Sequence, residues 1–247
     1  MRNTLLVSAS FCALASLAQA TDFGIADMTI GMSAGQIIAK YKEFRPQGEY
    51  QFTQWKLPDG STWVANGRTL YNELSHPDDM EHERMEFAFT GLGSGNKLFA
   101  IRRDLKIKPS QRPSVEAVYQ AAIQKYGNVS YVGNDRKNIW AVWKFNSLDG
   151  PAEKLTGQLG CIRGSAFPVG LDAQTVTEGK QLSAVCGLYI ELHIEGDETG
   201  LATDVDSAII NRLNLVREAE LDNSEANRRI EGVRTKNMNN APPPPKL

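Results

Sequence analysis

The chain is poor in two residue types that often serve in catalysis and metal binding. Its 247 residues include only three histidines and three cysteines. Charge is nearly balanced as well, because 27 lysines and arginines stand against 29 aspartates and glutamates, a formal net charge of −2. A protein this close to neutral lacks the basic surface that attracts nucleic acid or an anionic membrane. We therefore expect no nucleic-acid partner.

Long apolar runs are missing too, apart from one near the N-terminus. The first three residues carry one positive charge, residues 4–17 are almost all apolar or small, and residues 18–20 form a small-x-small pattern. These are the three parts of a secretory signal peptide, and about 14 apolar residues are too few to span a bilayer. We expect cleavage before Thr21, a mature protein in a bacterial periplasm or secreted, and no transmembrane segment. Cys12 lacks the small preceding residue of a lipoprotein signal, so no lipid anchor is expected.

With the leader removed, two cysteines are left, Cys161 and Cys186. Two cysteines in an exported protein most simply form one disulfide. Closing a loop of about 26 residues would stabilise the protein by about 3.5 kcal/mol in the chain-entropy model. A reactive or metal-bound pair is the alternative, although the spacing matches no zinc or redox motif.

Three segments have helical patterns. The first begins at the capping box of Ser33 and Gln36 and stops before Pro46, which cannot continue a helix. The second begins near Pro113 and ends at Gly127, a residue that readily takes the left-handed conformation. The third, residues 223–235, is polar on all sides, so we expect it to pack only at its edge.

Between the helices the apolar residues recur every second position, which indicates strands. The segments with this period are 50–57, 62–65, 84–90, 97–103, 139–145 and 185–195. In the last of them the even-numbered residues are predicted to face the core, and Tyr189, Glu191, His193 and Glu195 the solvent. Residues 208–217 suit either period, and we assign them to a strand because the half-exposed strand before them needs a partner.

These elements predict an α+β fold of antiparallel hairpins with a few packed helices, arranged as two small lobes. We expect an N-terminal lobe over residues 21–133 and a C-terminal lobe over 134–235 that contains the disulfide. Residues 236–247 are rich in asparagine and end in four prolines and Lys-Leu. Polyproline forms no internal hydrogen bonds, so this tail is expected to be extended and separate from the fold.

Two short segments carry a resemblance to a known group. Residues 30–33 (Ile-Gly-Met-Ser), followed by a helix, resemble the opening of small bacterial envelope modules of the SmpA/OmlA type, which are associated with outer-membrane assembly. They also resemble many uncharacterised periplasmic proteins. Residues 125–128 (Lys-Tyr-Gly-Asn) are similar to the Tyr-Gly helix end of that group. The resemblance implies an interaction module of the envelope.

Residues 76–83 concentrate two imidazoles and four carboxylates. His76, Asp78, Asp79 and His82 are therefore candidate ligands for a divalent metal. The spacing is not the one-turn histidine pair of zinc proteases. The alternative interpretation is a solvated acidic loop before a strand.

Three further segments suggest chemistry at first sight. His193, flanked by Glu191 and Glu195, could act as a base, or could belong to an ordinary charged sheet surface. Residues 91–95 (Gly-Leu-Gly-Ser-Gly) look like a phosphate loop, but a strand follows them rather than a helix, so we interpret them as a hairpin turn. Trp140 and Trp143 face opposite sides of one strand, and an exposed one would be a candidate for binding; the alternative is that both are partly buried.

We find no nucleophile, base and orienting group that the sequence brings together. The favoured function is a soluble, non-enzymatic periplasmic protein that binds another envelope protein or a wall component, without a cofactor. The alternative is a secreted metal-dependent hydrolase centred on His76 and His82.

Overall fold

The computed structural model describes residues 23–70, 82–135, 137–153, 155 and 187–240. Within these ranges the chain forms ten strands, three α-helices and one short 3₁₀ turn, so the predicted α+β class is confirmed. In chain order the elements are β1 (Gly24–Ile25), β2 (Met28–Thr29), α1 (Ala34–Phe44), β3 (Tyr50–Lys56), β4 (Thr62–Thr69), β5 (His82–Phe89), β6 (Leu98–Lys106), the 3₁₀ turn (Pro109–Gln111), α2 (Val115–Tyr126), β7 (Tyr131–Asn134), β8 (Ile139–Phe145), β9 (Leu188–Gly196), β10 (Ala202–Asn211) and α3 (Leu215–Asn239).

Eight of the strands form one antiparallel sheet in the order β3-β4-β5-β6-β10-β9-β8-β7, and β1 pairs with β2 in a separate hairpin. The pairing of β6 with β10 joins the two halves of the chain at the centre of the sheet. The boundary between residues 133 and 134 drawn from the sequence falls inside β7, and strands from both sides of it belong to the one sheet.

The capping residues set the helix boundaries as predicted. The Gln36 amide donates to Ser33 Oγ at 3.3 Å, and the Ser33 amide donates to Gln36 Oε1 at 2.9 Å, which completes the capping box. At α2 the Ala117 amide donates to the Ser114 hydroxyl. Gly127 ends the helix with a φ of 80°. Both helices therefore begin and end within two residues of the expected positions.

One face of the sheet carries the main hydrophobic core. The even-numbered residues of β9 from Leu188 to Ile194 lie in it, as predicted, and residues of α1 and α2 belong to the same core. α2 packs against β8 and β9, and α1 against β2. Trp143 of β8 is completely buried there, and its indole N–H donates to the Gly127 carbonyl at 2.9 Å. α1 and α2 thus lie on this face of the sheet, whereas α3 packs through Leu215 against one end of the opposite face.

The structure corrects the assignment of residues 208–217. The strand ends at Asn211, where β10 has β9 and β6 as partners, and α3 begins at Leu215. Leu215 and Ala219 are buried one helical turn apart, and Leu215 packs with apolar residues of β5, β6 and β10, so packing decides the ambiguous segment. The helix also continues to Asn239, past the predicted end at residue 235.

Candidate binding surface on the sheet

The face of the sheet opposite the main core, here called the polar face, carries a row of polar side chains at matched register. The row runs across β5, β6, β10, β9 and β8. Its members, each the direct partner of the next, are Arg84, Asp104, Asp206, His193 and Trp140. Because direct antiparallel partners lie about 5 Å apart on one face, these five side chains form a continuous line, here called the central row.

Two ion pairs lie on the β5, β6 and β10 part of the polar face, and one of them joins β6 to β10. Arg102 makes two hydrogen bonds to Asp206, one of them from Nε to Oδ1 at 3.0 Å, and this contact raises the pKa of the guanidinium. Arg84 pairs with Glu86. Burial, together with the negative charge of Asp206, raises the pKa of Asp104. Arg84, Glu86, Arg102 and Asp104 line a depression on this face.

A second group of polar and aromatic side chains surrounds Trp140. Its indole N–H donates to Glu191 Oε1 at 2.7 Å, and the Tyr189 hydroxyl donates to Glu191 Oε2 at 3.0 Å. The ring of Tyr131 on β7 lies edge-on to Trp140, with 5.7 Å between the ring centroids. Tyr131, Trp140, Tyr189, Glu191 and His193 are here called the Trp140 patch.

Tyr189 departs from the sequence prediction. We expected it on the solvent side of β9, and it does lie on the polar face, but it is completely buried in a small cluster with Val142. Burial, reinforced by the negative charge of Glu191, raises the pKa of its hydroxyl. The hydroxyl therefore stays protonated near neutral pH and acts as a fixed donor to the carboxylate.

His193 lies next to this patch, directly across from Trp140 on one side and Asp206 on the other. Its Nδ1 is 3.8 Å from Glu195 Oε1, which is too long for a hydrogen bond. The oxygens of Glu191 already accept from Trp140 and Tyr189. The flanking carboxylates thus do not hold the imidazole as a carboxylate does in a catalytic pair. His193 is one polar contact among several on this face.

The predicted metal ligands are only partly within the described residues. His82 lies on β5, opposite Lys106. His76, Asp78 and Asp79 lie outside the described residues, as do Cys161 and Cys186. Across the described ranges, no group of three or more histidine, cysteine, aspartate or glutamate residues is placed to hold a metal ion.

The two tryptophans face opposite ways, as the alternation predicts. Trp143 belongs to the main core, whereas Trp140 is partly buried on the polar face. The expectation that both are partly buried is wrong for Trp143, which is completely enclosed. Trp140 remains the candidate for binding.

The glycine-rich segment at residues 91–95 is a turn between β5 and β6, as interpreted from the sequence. The amides of Gly91 and Ser94 donate to the Asp222 carboxylate of α3, at 2.6 and 2.8 Å. A carboxylate of the protein therefore occupies the donors that an anionic ligand would need.

The residues predicted for a site did not include Arg84, Arg102, Asp104 and Asp206. Their alternation with apolar neighbours could have placed each on a solvent side. The pairing of β6 with β10 brings Arg102 to a residue 104 positions away, and nothing local in the sequence encodes that register.

Comparison with protein-family models, curated proteins and solved structures finds no match for this chain. Of the helices in the described part of the chain, none has both the length and the apolar content that a membrane span requires.

Proposed function

We propose that the mature chain is an exported protein of the bacterial envelope that binds an extended partner across the polar face and performs no chemistry on it. The partner is another envelope protein or a wall component. The leader at residues 1–20 and the resemblance of residues 30–33 to envelope modules support the location. The central row supports the mode of action.

The length of the central row is the observation that carries the proposal. Five adjacent strands contribute one side chain each, and four inter-strand spacings of about 4.8 Å give about 19 Å. A row of this length suits a polypeptide or polymer better than a small molecule. The depression beside it is lined by four charged side chains, whereas pockets for small molecules are lined mainly by apolar and aromatic groups.

The ion pairs add a second argument. Arg102 and Asp206 belong to different strands and fix each other in a two-bond geometry, so part of the surface is ordered before a partner arrives. Preorganised charged groups lower the entropic cost of association and select partners of matching charge. We expect recognition to depend on salt concentration for this reason.

Site-specific photo-crosslinking in the producing cell tests the proposal. A photoreactive amino acid replaces His193, in the central row, and in a separate variant Gln120, which is exposed on α2. We expect a discrete crosslinked species from position 193, weakened at high salt, and none from position 120. The same species from both positions, or no species from position 193, would contradict the proposal.

Metal analysis separates this proposal from the metal-dependent hydrolase considered from the sequence. The hydrolase predicts stoichiometric zinc, calcium or manganese in the purified protein, and loss of that metal in His82→Ala. The binding proposal predicts no stoichiometric metal. Metal at one equivalent that depends on His82 would contradict it.

A further inference from the structure

The Glu191 carboxylate is held more firmly than an ordinary surface carboxylate. Each of its oxygens accepts a hydrogen bond from a different aromatic side chain, Trp140 at 2.7 Å and Tyr189 at 3.0 Å. Tyr189 is completely buried, so its hydroxyl cannot move away from this position without disturbing the sheet. The two donors fix the carboxylate in one orientation beside the Trp140 ring.

Both donors are neutral, so they orient the carboxylate without cancelling its charge. Within the described ranges, Glu191 forms no ion pair with a lysine or arginine, in contrast to Asp206, which is paired with Arg102. Glu195, whose side chain is 54% exposed, lies on the same face of β9 and adds a second negative charge. Glu191 and Glu195 therefore place two negative charges beside Trp140, while the positive charge of the buried Arg212 acts on Tyr189.

Aromatic rings stand beside this carboxylate. Trp140 and Tyr131 meet edge to face at 76°, which gives the patch a wall of two rings. The face of an aromatic ring attracts a cation through its quadrupole, most strongly for tryptophan. A ring wall next to a carboxylate that forms no ion pair within the described ranges is a combination that recognises an organic cation.

We propose that the Trp140 patch binds an alkylammonium or guanidinium group, as carried by a lysine or arginine side chain of the partner. This inference rests on the proposed function and names the chemistry of one contact in it. The cation pairs with Glu191 while its alkyl chain packs against Trp140, and Glu195 adds a more distant negative charge. A neutral saccharide could stack on the same rings, but it would gain nothing from the negative charge.

The test is a titration of the mature protein with a short peptide that carries two lysines, acetyl-Gly-Lys-Gly-Lys-Gly-amide. Binding is followed on the indole N–H signal of Trp140, assigned by comparison with Trp140→Phe. We expect this signal to shift and saturate, and the same peptide with both lysines acetylated to bind at least about tenfold more weakly, because a charge contact is worth about that factor.

Glu191→Gln is the decisive variant, since its one amide oxygen can still accept from the Trp140 indole, its NH₂ group can donate to the Tyr189 hydroxyl oxygen, and the charge is removed. We expect its affinity for the lysine peptide to fall about tenfold. Glu116→Gln, an exposed position on α2, is the matched control and should bind as the unaltered protein does. Trp140→Phe keeps a ring and loses the indole donor, so it should bind more weakly when monitored on the Tyr131 signals. Melting temperatures of all variants confirm that each is folded.

The inference would be overturned if the peptide with both lysine side chains acetylated bound as tightly as the unmodified lysine peptide. Unchanged affinity of Glu191→Gln for the lysine peptide would also overturn it. Saturable binding of an N-acetylglucosamine tetramer in place of the lysine peptide would identify a saccharide site and overturn it as well. If the unaltered protein binds no lysine peptide while position 193 still gives the crosslinked species, and gives it in Glu191→Gln too, this inference fails and the proposed function stands. Binding of the lysine peptide without any crosslinked species would contradict the proposed function and leave the cation site in the Trp140 patch standing.

Discussion

Ser94 donates two hydrogen bonds to Asp222, which lies 128 positions later in the chain: its amide at 2.8 Å and its hydroxyl at 2.7 Å. The Gly91 amide adds a third at 2.6 Å. One carboxylate of α3 therefore ties the helix to the turn between β5 and β6.

Asp222→Asn should weaken this attachment. An amide has one acceptor oxygen, carries no charge and turns an NH₂ group toward donors, so we expect the free energy of unfolding to fall by about 2 kcal/mol. Urea denaturation measures the change. Glu220→Gln, exposed on the same helix, should stay within about 0.5 kcal/mol of the unaltered protein. Equal stability of both variants would contradict this role of Asp222.

The hairpin of β1 and β2 contains a turn that its residues disfavour. Ala26 and Asp27 have φ values of 49° and 61°, the left-handed region that glycine and asparagine occupy most readily. Asp27→Gly should stabilise the protein by about 1 kcal/mol because it removes the steric cost of Cβ. Thermal melting would show this as a rise of a few degrees. Asp27→Ala removes the carboxylate but keeps Cβ, so a similar rise in that variant would contradict the explanation.

Asp197, in the turn between β9 and β10, gives a prediction about pH. Its carboxylate accepts from the Thr199 hydroxyl at 2.6 Å, and this bond, with further bonds from the Thr199 and Leu201 amides and Arg112, lowers its pKa to about 2. A carboxyl whose pKa is lower in the folded state stabilises the fold above its unfolded pKa of 3.8, and that stabilisation is lost as the pH falls toward 2.

Asp197→Asn should therefore be less stable than the unaltered protein at pH 6, and the difference should shrink between pH 4 and pH 2. Urea midpoints measured across this range test it. Asp149→Asn, at another exposed turn, controls for the loss of one surface carboxylate. A difference that is as large at pH 2 as at pH 6 would show that the carboxylate charge is not the cause.

Cys161 and Cys186 lie outside the described residues, and their disulfide stays a prediction from the sequence. We expect no free thiol in denatured, unreduced protein that begins at the predicted Thr21, and two after reduction. Labelling with a thiol-reactive probe and mass spectrometry measure this. Two labelled cysteines before reduction would exclude the bond.

Local signals predicted local structure well. The capping box at Ser33 and the terminal Gly127 placed the ends of α1 and α2, because each depends on neighbours within a few residues. The alternation along β9 identified its core side for the same reason. The prediction of a strand over residues 208–217 was wrong for its last part. Leu215 begins a helix there because it packs against strands that are distant in sequence.

The candidate site depends on such distant neighbours. The sequence placed Glu191 on the solvent side of its strand and Trp140 opposite Trp143, but the hydrogen bond between Trp140 and Glu191 requires the pairing of β8 with β9. Gly93 shows the same limit. The sequence predicted that Gly93 lies in a turn. It did not show why the residue is glycine, which is that a Cβ there would lie 2.2 Å from the Leu221 carbonyl oxygen of α3.

The order of the strands also determines when the sheet can be completed during synthesis. β6 can pair with β5 at once, but its other side pairs with β10, which is about a hundred residues later in the chain. At a synthesis rate of about 5–20 residues per second, that delay is about 5–20 s. During this interval β6 is an edge strand with Leu98–Ile101, all buried in the finished fold, open to pairing with other chains. The nascent protein is thus most prone to aggregate before residue 211 emerges, and any chain truncated ahead of β10 keeps that exposed edge permanently.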